Sequence, residues 1–231
     1  MAEELPCNDR ILELLRTKSA LKQKVYRETI KVFDRLKAQL EGIAVALDAK
    51  ICQVDEHVKL EYRNKSKYEA EIQFSGDVLL FNMHTNVFTF EKDHQVWKMK
   101  YIKEDRNRAY FGMINIYNFL SDSFRFNRVN DVGVLLGRIF VNHEGHFFIE
   151  GKRQLGFLFN QLGEAVITDE NLKKVVDTAM IYSLEYDLTV PDLEEVLIAS
   201  VGQVQTLSSE LYMKTSKKLG FKFHTKMEIE D

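Results

Sequence analysis

Between residues 8 and 48 the apolar positions fall on one stripe: Ile11, Leu14, Leu15, Leu21, Val25, Val32, Phe33, Leu36, Leu40 and Ile43. Spacing near 3.6 predicts an amphipathic helix, with charged residues on its other faces and no proline to interrupt it. Asn8 is placed to cap it, its side-chain oxygen accepting from a free amide of the first turn. At 1.5 Å per residue such a helix is about 60 Å long, whereas a globule of this chain length is about 45 Å across. The helix is therefore expected to break, to protrude or to pack on a second chain. Thr17-Lys18-Ser19 and Gly42 are the weakest points.

From Lys50 to about Leu158 the period shifts towards two. Residues 69–74 and 78–81 flank the turn signal Ser75-Gly76-Asp77. Trp97, Met99 and Tyr101 alternate with Lys98, Lys100 and Ile102, which predicts a half-exposed strand. Residues 109–120 are apolar on both faces, as in a strand covered on both sides. Residues 133–141 and 146–150 flank the short Asn142-His143-Glu144-Gly145 connection, so these two should pair as a hairpin. Strands that follow one another without helices predict an antiparallel meander of about five to seven strands.

Two helices should follow. Thr168 caps the first, whose apolar face is Leu172, Val175, Val176, Ala179, Met180 and Leu184. The second opens at Thr189-Val190-Pro191-Asp192. Its Leu193, Leu197, Ser200, Val204, Leu207 and Leu211 repeat in a heptad-like seam that suits packing within the chain or between subunits. The fold class expected is α+β. A single domain spans 1–213 (helical over 1–48, an antiparallel sheet over 49–160, helical over 161–213), and 214–231 form a C-terminal tail. In that tail Leu219, Phe221 and Phe223 alternate with Gly220 and Lys222, so it reads either as an edge strand or as a frayed basic end.

Composition adds exclusions. Only two prolines and eleven glycines leave little room for linkers. Cys7 and Cys52 stand far apart with no metal-ligand spacing around them, so structural zinc is not expected. No basic stretch followed by an apolar run opens the chain, and no apolar run approaches the roughly 18 residues of a membrane span. A cytoplasmic protein with no membrane partner is the expectation. Charge is uneven: residues 97–160 hold ten Lys and Arg against six Asp and Glu, 161–213 hold two against ten, and 214–231 hold five against three.

The chemistry on offer is sparse. Arg125, Arg128, Arg138, Lys152 and Arg153 form the ligand-binding candidate, since arginine's planar fork suits carboxylates and phosphates. In Phe124-Arg125-Phe126-Asn127-Arg128 cations alternate with aromatics, which could also stack bases. The plainer reading pairs these arginines with the acids of the C-terminal helices. His143-Glu144-Gly145-His146 lacks the helical spacing of a zinc-protease motif and needs a third ligand, such as His84 or His94, to hold a metal. No nucleophile elbow or phosphate loop exists, and no cofactor is implied. The preferred reading is a non-enzymatic ligand-binding or protein-interaction module acting as a homodimer, with a small anionic ligand met by the arginines. One alternative is an enzyme on a phosphorylated or other anionic substrate, with Arg125, Arg128 and Arg153 holding the anion and His143 or His146 as acid or base. The other is nucleic-acid binding on a basic-aromatic sheet face.

Overall fold

The computed structural model describes residues 7–152, 154–160, 162–164 and 166–188. The second C-terminal helix expected from Thr189, the tail and Arg153 lie outside the described residues. The N-terminal helix comprises α1 (Cys7–Leu14), one π turn (Leu15–Ser19) and α2 (Ala20–Ile51). Asn8 therefore lies within the helix rather than capping it. The weak point at Thr17-Lys18-Ser19 is relieved by the wide turn, where the Thr17 hydroxyl donates to the Glu13 carbonyl at 2.7 Å. Gly42 causes no break, because α2 is held on both sides of it. Val25, Val32, Phe33, Leu36, Leu40 and Ile43 are buried, each side chain contributing about 1.5–3 kcal/mol.

The sheet is a six-stranded antiparallel meander in the order β1-β2-β3-β4-β5-β6. Its strands are β1 (Leu60–Ser66), β2 (Glu69–Phe74), β3 (Asp77–Met83), β4 (Gly112–Leu120), β5 (Val134–Val141) and β6 (Phe147–Gly151). Alternation sends Ile72, Phe81, Ile114, Ile139, Phe147 and Ile149 to one face, where α2 and α6 (Asp169–Leu184) cover them. Thr168 caps α6 as expected, accepting from the Asn171 amide at 3.1 Å. Leu184, expected on the buried face of α6, is exposed. At the start of β4 the helix touches the backbone: a Cβ on Gly112 would stand 2.0 Å from Thr29 Oγ1. Lys37 fastens the other end, donating to the carbonyls of Ser66 and Lys67 in the β1–β2 turn.

The strand expected over Trp97, Met99 and Tyr101 does not form. Gln95–Lys98 is a 3-10 turn and Lys100–Glu104 is a short helix, α3. The buried positions there are Val96 and Ile102, which with half-buried Met99 recur every three residues. His94 caps the turn by accepting from the Val96 amide, and the Trp97 indole donates to the Phe90 carbonyl. Together with a second 3-10 turn, Arg106–Ala109, these pieces form an excursion between β3 and β4, closed by mutual 2.8 Å bonds between Phe88 and Phe111. It covers only part of the sheet's second face, building a smaller core from Val96, Ile102, Phe111, Phe140, Phe148 and Leu162. The rest of that face is the site region. β4 is thus covered on both sides only in part.

Candidate functional site

One row of side chains crosses the second face in register. Asn82 on β3 stands opposite Asn115 on β4, Asn115 opposite Arg138 on β5, and Arg138 opposite Glu150 on β6. Directly paired side chains on one face lie about 4.5–5.5 Å apart at Cβ. Each of these residues alternates with apolar neighbours that face α2 and α6, which fixes the row's direction. Arg138 donates through Nη2 to Glu150 Oε2 at 2.5 Å, and its guanidinium lies 5.5 Å from the Phe140 ring. His94 stacks on Phe90 and holds Nε2 at 3.6 Å from Glu150 Oε1. Because its Nδ1 accepts from the Val96 amide, the neutral ring carries its proton on Nε2 and turns that N–H towards Glu150.

The two asparagines differ from everything around them. Neither side chain hydrogen-bonds a described residue, yet Asn115 keeps only 8% of its surface exposed. Its carboxamide is not sealed from solvent, so its donors and acceptor are available at the centre of the sheet. The next row, Leu80–Tyr117–Leu135, is half-buried to exposed and supplies an apolar, aromatic bed. Beyond it, Arg63 ties β1 to β2. It donates to Glu61 at 2.6 Å, to Gln73 at 3.2 Å and to the buried Glu71 at 3.0 Å. The bond to Glu61 and then that to Glu71 hold the Arg63 pKa above its ordinary value.

The His-Glu-Gly-His hairpin forms a separate knot, in which Nδ1 of His143 and Nδ1 of His146 are buried without a hydrogen-bond partner among the described residues. Asn142 Oδ1 accepts from the amides of Glu144 and His146, and Gly145 takes a φ of 78° to close the turn. Asn142 Nδ2 donates to the Tyr101 hydroxyl at 2.9 Å, which donates to Glu144 Oε2 at 2.6 Å. Arg108 Nε stands 3.1 Å from the same oxygen, and its guanidinium lies 4.3 Å from the Tyr101 ring. Burial, with the Glu144 hydrogen bond adding, pushes the Tyr101 phenol up to about 12. The Tyr101 hydrogen bond and then Arg108 hold Glu144 below its ordinary value, and burial lowers His143. A phenol this weakly acidic and a neutralised carboxylate make a fastener between the excursion and the β5–β6 turn. Among the described residues no three side chains are grouped to hold a metal.

The four basic candidates among the described residues do not meet. Arg125 ends α4 (Ser121–Arg125), exposed on the β4–β5 connection. Arg128 is largely buried between Asp122 and Asp131, where it braces that connection. Phe124 to Arg128 is thus the end of a short helix and its exit, not a sheet strand. Arg138 lies on the open face. Lys152 borders a pocket of about 70 Å³ with Leu155, Thr178 and Tyr182 at α6, and burial lowers its pKa. Among the described arginines Arg63 and Arg138 pair across neighbouring strands, Arg108 reaches Glu144 of the β5–β6 turn, and Arg35 reaches Asp169 of α6 at 2.7 Å. Arg125 and Arg128 precede β5 while His143 and His146 follow it, about 23 Å of strand apart.

Asn82 and Asn115 escaped the sequence reading, although a single polar residue inside Leu-Leu-Phe-Asn-Met and Met-Ile-Asn-Ile was a signal. Tyr101 was hidden by reading its segment as a strand, and Arg108, just ahead of the expected strand 109–120, carried no signal. No family model matches the chain, and no curated protein or solved structure matches it.

Proposed function

We propose that this protein is a non-enzymatic module that works by association, holding a small anionic ligand on the open sheet face and acting as a homodimer. The carrying observation is the row Asn82–Asn115–Arg138: two carboxamides without partners among the described residues, beside a guanidinium that gives one edge to Glu150. A carboxylate or phosphate takes the other edge, with the asparagine N–H groups as further donors. Leu80, Tyr117 and Leu135 receive the ligand's apolar part. Glu150 neutralises Arg138 in the ligand-free state, so the anion competes with it. His94 then offers Glu150 its own N–H.

The test is a titration of isotope-labelled protein with succinate and, separately, inorganic phosphate, followed by NMR. The expected result is a saturable shift of the Asn115 side-chain amide and the Arg138 Nε–H, lost in Arg138→Gln. Shifts confined to other surfaces with both probes would contradict the reading.

A further inference from the structure

The N-terminal helix leaves the globule with its apolar stripe uncovered by any described residue. No residue of α1 or of the π turn is buried, and Val25 is the first buried position of the helix. Ile11, Leu12, Leu14 and Leu15 keep 44–54% of their surface exposed. They extend the stripe that α2 buries below them, along an arm of about 27 Å over residues 7–24. The arm is basic: residues 7–24 hold five Lys and Arg against two Asp and Glu. Two such arms facing each other would repel.

The complementary surface is in the same sequence. Residues 189–213, outside the described part, carry Leu193, Leu197, Val204, Leu207 and Leu211 in a heptad-like seam, with four acids and no Lys or Arg. Apolar seam matches apolar stripe, and charge matches opposite charge. From these we infer that the arm over residues 7–24 docks segment 189–213 of a second copy of this chain.

The chain's own segment falls short. Arg35 bonds Asp169 at the start of α6, and Lys173 and Asp177 further along line a groove with Gly42, Ile43 and Lys50. α6 therefore runs towards the far end of α2. Glu185 and Tyr186 continue its last turn, their amides donating to the Ile181 and Ser183 carbonyls. A seam laid antiparallel on the arm would start near Val25, about 27 Å of helix from Ile43. Residues 187–192 span about 20 Å when fully extended. A second copy meets no such limit, and exchange of the two elements gives a closed two-fold dimer.

The inference rests on the proposed self-association, and charge reversal in the full chain separates the two. Arg16→Glu with Lys18→Glu reverses the arm; Glu194→Lys with Glu195→Lys reverses the segment. Light scattering should show a native dimer, association weakened about tenfold or more in each reversed chain, and a restored dimer when the two are mixed. Circular dichroism checks that both variants fold. A native dimer that survives segment reversal would overturn the docking but leave self-association standing. A monomeric native chain would overturn both.

Discussion

At Arg138 the decisive quantity is competition for one guanidinium. Glu150 holds one edge at 2.5 Å, and a charge-assisted bond contributes about 1.5–3 kcal/mol net. Glu150→Gln should therefore tighten succinate and phosphate binding by about tenfold, measured by calorimetry, while Asn115→Leu should weaken it. Tyr101→Phe removes the link between Asn142 and Glu144 and should cost about 1–2 kcal/mol in urea unfolding. The phenol's pKa is raised from 10.0 to about 12 in the folded state, so its share of stability is complete below pH 10 and lost as pH rises towards 12. Tyr101→Phe should flatten that alkaline decline. Residue-level chemistry was the least legible layer of the sequence. Arg138 stood out by type, but Asn82 and Asn115 gain meaning only from strand register, which brings side chains 33 residues apart into one row.

Among the elements, the long helix, the meander and α6 were legible because each carries a sustained period of apolar residues. The excursion was not. Trp97, Met99 and Tyr101 satisfy a period of two, while the buried Val96 and Ile102 follow a period of three, and five residues cannot separate them. A close approach between elements lies at Gly112, where a Cβ would stand 2.0 Å from Thr29 Oγ1. Gly112→Ala should force α2 away from β4 and destabilise the fold by about 1–3 kcal/mol, read as a lower urea midpoint and partly restored by adding Thr29→Gly. The β5–β6 turn brings an acid-side dependence. Burial lowers the His143 pKa below its ordinary 6.5, so its contribution is present above that value and lost as pH falls through the folded pKa. The urea midpoint should fall on acidification below neutrality, and fall less in His143→Gln.

For the whole molecule, the length of the N-terminal helix was the sequence feature that mattered most. A helix too long for its globule had to break, protrude or find a second chain. The buried stripe from Val25 to Ile43 rules out a break within α2, and the exposed one from Ile11 to Leu15 makes the arm. Association through a basic arm and an acidic segment should weaken as ionic strength rises. Dimer dissociation followed by light scattering between 0.05 and 0.5 M salt, about a threefold change in screening length, checks this. The most direct measurement of an association module is native mass spectrometry of the freshly purified chain, repeated on the same sample after denaturation. A dimer carrying a small extra mass that is shed on denaturation is the expected result. An empty monomer would contradict the account.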